Sequence, residues 1–352
     1  MEYRTLGRTG LKVSALGLGT MMFGAWGNVD RTECSRIIHR ALDSGINFVD
    51  TADVYSAGES EEIVGEALKG SLRKRVILAT KVHGVMEQHP NGRGNSRRWI
   101  VQEVDESLKR LKTDWIDLYQ IHRPDPEVDI DETLGVLTDL VRSGKIRYFG
   151  SSTFPAHDIV EAQWVAQLRG RERFAAEQPP YSLLVRGIEA AVLPTCQKYG
   201  LGVVTWSPLA AGWLSGLYQK NASPKSSRSQ RLPLRYDLSI RANQDKLEAA
   251  IALADLASSA DLSLIHLALG FVLSNPGVTS AIIGPRTMDH LISQVDGWEV
   301  TLDDHLLDKI DEIIPPGTNV NPTDSGWDPP TLSDSRLRRR NHGGVRQAPR
   351  RV

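Results

Sequence analysis

The sequence predicts an α/β chain folded as a (β/α)8 TIM barrel, and three observations predict it. Short apolar runs alternate with helical stretches along most of the chain. The runs are apolar throughout rather than alternating, as in strands covered on both faces. Eight such runs with intervening helices match a closed barrel. A doubly wound open sheet is the rival, but that fold carries an early Gly-x-Gly-x-x-Gly turn for a dinucleotide. The first run instead ends in LGLGT, residues 16–20, which weakens the rival.

The candidate strands, in order, are Ala15–Gly19, Ile46–Asp50, Val76–Lys81, Ile116–His122, Ile146–Ser151, Arg173–Gln178, Gly202–Ser207 and Ser280–Gly284. Helical stretches fall between them at Arg31–Ser44, Glu59–Leu68, Ser96–Arg110, Asp131–Arg142, Pro155–Leu168 and Glu189–Tyr199. Ahead of the first strand, YRTLGRTGLKV reads as a β-hairpin turning at Arg8-Thr9-Gly10, placed to cap the barrel bottom. After the seventh strand comes a long insertion, from Leu209 to about Ala242, rich in Ser, Pro, Lys and Arg. A loop that long in a compact domain is usually functional or disordered. Extra helices follow near Asn243–Ser259 and Ser263–Ser274. The barrel is expected over residues 1–319, and residues 320–352 form a Pro- and Arg-rich extension, expected to be partly disordered.

With 352 residues the chain is long enough for one large barrel or two ordinary domains. Its 40% hydrophobic and 24% charged residues are those of a soluble globular protein. No apolar run reaches the length of a membrane span, and MEYRTLGRTG lacks the apolar core of a signal peptide. The two cysteines, Cys34 and Cys196, make no metal-type spacing, which fits a reducing cytoplasm. Net charge is −1, yet residues 336–352 hold seven arginines and no acid, leaving about −8 on the rest. That acidic body argues against nucleic-acid binding. The tail has neither interleaved aromatics nor an amphipathic apolar face, so a solvated terminus is its plainest reading.

Four polar residues carry the chemistry. Asp50, Lys81 and His122 close the second, third and fourth candidate strands, and Tyr55 follows Asp50 by five residues. In a parallel barrel those strand ends converge on one face, where such enzymes place their active sites. Singly, each has an ordinary reading: a turn or cap aspartate, a loop aromatic, a solvated lysine, a satisfied histidine. Together they suit delivery of a proton to a carbonyl oxygen. A free tyrosine, with a pKa of ~10, is a sluggish acid near neutrality. An ammonium about 4 Å away stabilises a phenolate by roughly 4 kcal/mol at an effective dielectric near 20. Asp50 keeps that ammonium charged and aimed, and His122 can donate to the developing oxyanion. His39, His83, His89 and His122 make no recognisable metal spacing, so a metal-dependent barrel enzyme is disfavoured.

Three segments carry a family resemblance: FVDTADVYSAGESEEIVGEAL (48–68), ILATK (77–81) and DLYQIHRPD (117–125). They resemble the aldo-keto reductases over about Met1–Asn319, and the family's Asp, Tyr, Lys and His fall on Asp50, Tyr55, Lys81 and His122. The resemblance implies an NADP(H)-dependent enzyme that reversibly reduces an aldehyde or ketone, with Tyr55 as general acid and base. The alternative is a cofactor-sensing subunit of low turnover, resembling the potassium-channel β subunits, which share the barrel.

The resemblance also places the cofactor. Gly19, Thr20 and Met21 would approach the nicotinamide ribose beside Asp50. Ser152 and Thr153, in the fifth-strand signature, and Gln178 would hold the carboxamide, with Thr153 standing where the family has Asn. Trp206 would stack on the nicotinamide. Ser207, Pro208, Leu209 and Gly212 match the pyrophosphate loop, with Arg228 a clamp from the insertion. AIIGPRTMDHLISQ (281–294) matches the adenosine end. There Arg286 and Thr287 would hold a 2′-phosphate at a helix N-terminus, favouring NADP over NAD, with Gly284 also among the cofactor-binding residues. His290 and Gln294 would reach the adenine, although the family often has Gln and Asn there.

A small carbonyl substrate is expected against an apolar wall of Met22, Phe23 and Trp26, with Tyr55, His122 and Arg123 close by. Arg93, Arg97 and Arg98 give the next loop a basic rim that would suit an anionic substrate, although a solvated rim is the plainer reading.

Overall fold

The computed structural model describes residues 1–218 and 227–339. An antiparallel hairpin comes first, β1 (Tyr3–Thr5) with β2 (Lys12–Ser14). Eight parallel strands then close a barrel: β3 (Leu16–Gly19), β4 (Phe48–Asp50), β5 (Ile77–Val82), β6 (Ile116–Ile121), β7 (Ile146–Ser152), β8 (Ala176–Gln178), β9 (Gly202–Trp206) and β10 (Ser280–Ile283). They follow chain order around the ring, and β10 pairs back onto β3. Helices α1 (Arg31–Asp43), α2 (Glu59–Ala67), α3 (Arg97–Leu111), α4 (Ile130–Arg142), α5 (Ala156–Arg169) and α6 (Val192–Tyr199) alternate with them. Between β9 and β10 lie α7 (Ser227–Arg231), α8 (Arg241–Ser259) and α9 (Leu264–Ser274). After β10 come α10 (Met288–Val295), α11 (Asp304–Ile313) and α12 (Pro330–Ser333). The side chains of Asp30, Ser96, Asp129, Ser263, Thr287 and Asp303 accept from the first free N–H groups of α1, α3, α4, α9, α10 and α11.

Strand alternation builds the barrel interior in layers. Phe48, Ala79, Leu118, Ala176, Val204 and Ile282 pack together inside, with Leu6 and Val13 of the hairpin region closing the bottom. The hairpin caps that end, and its Arg8 donates to the carbonyls of Arg173 and Phe174. Two residues further along four of these strands, the inward positions turn polar: Asp50 after Phe48, Lys81 after Ala79, Gln120 after Leu118, Gln178 after Ala176. The intervening residues, Val49, Tyr119 and Val203 among them, face the helices in a larger outer core. An apolar plug beneath a polar layer is therefore a consequence of register.

All eight expected strands are present, with shifted bounds. Strand β8 begins at Ala176 rather than Arg173, because hairpin Arg8 occupies the carbonyls of residues 173 and 174. Helix α6 begins at Val192 rather than Glu189, because Gly187–Glu189 forms a separate 3-10 turn whose Glu189 accepts from Tyr181 and Arg186. The insertion, expected as a loop, holds α7 and the 3-10 turns Ala210–Gly212 and Pro233–Arg235. Its residues 219–226 lie outside the described residues. Beyond Asn319 the chain runs back over the barrel mouth: Asp324 pairs with Lys246 and Arg235, and Asn321 bonds Asn243. Residues 340–352 of the arginine tail lie outside the described residues. No single described helix is long and apolar enough to cross a membrane.

Candidate active site

Lys81 Nζ donates to Asp50 Oδ2 at 2.5 Å and to the Thr51 carbonyl at 2.7 Å, and it lies 3.4 Å from the Tyr55 hydroxyl. Lys81 is 0% and Asp50 3% exposed. Such a pair survives burial only when both charges are fully bonded. Here they are: Asp50 Oδ1 also accepts from Gln178 at 2.8 Å and Gln120 at 3.2 Å. Burial pulls the Lys81 ammonium down, but Asp50 and Tyr55 outweigh it and hold it above the ordinary lysine value. The cation is permanent at any physiological pH.

Tyr55 reaches that cation from the β4–α2 connection. Just after it the chain turns through left-handed Ser56 (φ 50°) and Ala57 (φ 55°), conformations that side-chain-bearing residues rarely adopt. Ser56 secures the turn by donating to the Phe23 carbonyl and accepting from Trp26 N–H, both at 3.1 Å. Those bonds bring the two loops together, leaving Trp26 and Tyr55 with ring centroids 6.0 Å apart. On its other side Tyr55 meets His122 edge-on, with centroids 5.7 Å apart. Burial, with Arg123 and Lys81 nearby, holds the His122 imidazole well below its ordinary pKa, so it is neutral. A neutral ring offers one N–H donor without competing for the proton. The arrangement can transfer a proton from the phenol to an oxygen held beside the imidazole.

The other expected positions divide. Met22 and Trp26 stand at the mouth, whereas Phe23 is fully buried in the outer core and adds nothing to a substrate wall. The chain turns at Phe23, whose N–H bonds the Thr20 carbonyl, and the ring falls inward. Thr20 is also buried, its hydroxyl shared between the Asp50 carbonyl and Ser60. Gly19 has a packing reason of its own, since a Cβ there would stand 2.5 Å from Ile282. Ser152 donates to the Gln178 carbonyl, and Thr153 and Ser207 take left-handed φ of 61° straight after their strands. Ser207 Oγ accepts from Ala211 N–H, Pro208 is buried and Leu209 half-buried. Around Gly212 and Gly284 a Cβ would meet nothing within 4 Å. Arg228 leans on Met22 Sδ at 3.7 Å. Thr287 caps α10 with Arg286 beside it, His290 is exposed on the first turn, and Gln294 is buried. Arg97 of the basic rim is paired with Asp139.

The aldo/keto reductase family model matches residues 15–315, the whole of this barrel. The chain belongs to the aldo/keto reductase family. It is 41% identical to the uncharacterized oxidoreductase YrpG of Bacillus subtilis over 93% of this chain and all of that protein. It is 36% identical to a probable voltage-gated potassium channel subunit beta of rice, over 89% of this chain and 97% of that one. The aldo-keto reductase YhdN of Bacillus subtilis is 36% identical over 86% and 91%.

In this family member the structure also brings out residues that sequence reasoning missed. Gln120 bonds Asp50, and the signal was its place two residues before His122 on the same strand face. Glu177 lies fully buried behind the mouth, bonded to Ser151 and to Phe154 N–H. Burial raises its carboxyl to about 7. A lone carboxylate inside an apolar strand was the available sign. Asp53 is fully buried with one oxygen unbonded, and Tyr119 beside it likewise has an unbonded hydroxyl. Gly326, from the far end of the chain, lies so close to Trp206 that a Cβ there would stand 2.8 Å from the indole. No local pattern marks that contact.

Proposed function

We propose that the protein is an NADPH-dependent reductase of aldehydes or ketones, acting in the cytoplasm and running in reverse as an alcohol dehydrogenase. The observation that carries this reading is the Tyr55 hydroxyl 3.4 Å from a buried ammonium that Asp50 holds in place. The residues present fit a nicotinamide dinucleotide. Trp206 gives a flat ring at the mouth, the space around Gly212 and Gly284 is open to a backbone-hugging chain, and Arg286 and Thr287 sit at the start of α10. Ser152, Thr153 and Gln178 would face the carboxamide. Ser207, Pro208, Leu209, Gly212 and Arg228 would line the diphosphate, and Arg286 with Thr287 the 2′-phosphate.

When bound, the cofactor supplies a hydride to the carbonyl carbon. Tyr55 then gives its proton to the carbonyl oxygen as charge develops there, and Lys81 stabilises the phenolate left behind. His122 orients the oxygen by its N–H. In the reverse direction the Tyr55 phenolate takes the alcohol proton.

NADPH oxidation followed at 340 nm against aldehydes, ketones and quinones tests the reading. Tyr55→Phe is expected to lower kcat by about 10²–10⁴, the usual contribution of a general acid, while still binding NADPH. The channel-subunit relatives favour a second reading, a cofactor-binding regulatory subunit of low turnover. Tight NADPH binding with negligible turnover on every substrate would select it.

A further inference from the structure

The insertion after β9 gathers positive charge over the catalytic tyrosine. Arg228 and Arg231 come from α7, Arg235 from the turn after it, and Arg123 follows His122. Arg235 is paired with Asp324. Among the described residues, Arg123, Arg228 and Arg231 form no salt bridge. Residues 219–226 (QKNASPKS) and 340–352 contain no Asp or Glu that could supply one. All three guanidinium groups are half-buried. Burial, and repulsion from one another or from Arg235, hold all three below the ordinary arginine value. Arginine stays protonated regardless, so the mouth carries cations without a salt-bridge partner in a partly dry setting.

Their placement points toward the substrate. Arg231 Cζ lies 4.4 Å over the ring of Trp26, the ring that contacts Tyr55. A guanidinium stacked on an aromatic face keeps the N–H donors of its edge available for a planar partner. One of those donors, Arg231 Nη1, is fully buried and unbonded. Arg123 Cζ lies 5.9 Å over Trp206, and both Arg123 and Arg228 interact electrostatically with the Tyr55 phenol. Arg228 lies against Met22 and, by the family resemblance, is a diphosphate clamp, so the cofactor can claim it. Arg231, one turn further along α7, stacks instead on the Trp26 ring.

We propose that this reductase selects carbonyl substrates bearing a carboxylate, gripped by Arg231 with Arg123 while the carbonyl rests between Tyr55 and His122. A carboxylate matches the guanidinium fork with two parallel hydrogen bonds. The proposal rests on the reductase reading, and its test separates the two. The probes are 4-carboxybenzaldehyde and its methyl ester, methyl 4-formylbenzoate, which differ only in charge and one methyl group. The wild-type holoenzyme is expected to prefer the acid at least tenfold in kcat/KM, mainly through KM, and the preference should shrink as salt rises. In Arg231→Met the acid-to-ester ratio should fall about tenfold, whereas Arg231→Lys retains part of it. Benzoate titration of the NADP⁺ complex, followed by tryptophan fluorescence, gives a readout independent of turnover. Benzoate should bind more tightly than benzamide and weaken about tenfold in Arg231→Met. Equal kcat/KM for acid and ester, or a preference untouched by Arg231→Met, overturns the carboxylate grip while leaving the reductase intact. Should neither aldehyde turn over, the wider panel of aldehydes, ketones and quinones decides the reductase reading, and the benzoate titration alone decides whether the anion site exists.

Discussion

Asp53 lies two residues before Tyr55, with its carboxyl sealed against the outer face of the barrel. Burial, then repulsion from Glu103 and Glu61, raises that carboxyl well above the ordinary aspartate range, which favours its protonated form. Asp53→Asn replaces one neutral group by another of the same shape. Its stability at pH 7, read from urea denaturation, is expected within about 1 kcal/mol of wild type. A loss of several kcal/mol would mean that Asp53 is a buried carboxylate serving Arg110. Arg286 tests the cofactor at the same scale. Only NADPH carries a 2′-phosphate, so Arg286→Ala should raise the Kd for NADPH at least tenfold and barely move that for NADH. An equal change for both would remove the reason for preferring NADP.

The segment after Asn319 acts as a strap across the mouth. Asp324 holds it down by pairing with Arg235 and with Lys246, an ammonium that is 1% exposed and 4.8 Å over the Trp213 ring. The two partners are not equivalent. Lys246→Met leaves Asp324 with Arg235, whereas Asp324→Ala leaves a buried ammonium with no carboxylate. Removing one member of a buried pair costs about 3–5 kcal/mol. Asp324→Ala should therefore loosen the strap more than Lys246→Met does, seen as faster limited proteolysis within residues 320–339. Indistinguishable cleavage of the two variants would show that Asp324 is not the anchor. Trp206 lies under the same strap at Gly326, so looser packing there should also change the emission of that indole.

Across the molecule, stability should bear the mark of its buried acids. Glu177 and Glu103 both have carboxyls raised to about 7, chiefly by burial, against an ordinary value of 4.5. Between those two pH values the unfolded chain has lost protons that the native state keeps, so their contribution falls as pH rises. It is fully present below about 4.5 and gone above about 7. For fully buried Glu177 the change is of order 3 kcal/mol. Glu177→Gln removes its share: relative to wild type, the variant should gain stability between pH 5 and pH 8. Parallel stability curves for the two proteins would contradict this assignment.

The amino-acid sequence alone determined the barrel, its eight strands and the four residues at its rim. Strands buried on both faces must be apolar throughout, and parallel strands must present their ends together, so local pattern implies a shared site. Short segments also carried the likeness to the family. Tertiary structure alone decided which polar groups meet. Gln120 and Gln178 converge on Asp50 from strands far apart in the chain, Phe23 turns into the core although its neighbours face the mouth, and Gly326 comes back onto Trp206. The arginines over Tyr55 come from an insertion with no periodic signal, and their missing counter-charges are visible only once every carboxylate has a place. Covalent order fixes which side chains a strand offers, whereas barrel closure fixes their partners, and desolvation by those partners sets which of them hold a proton.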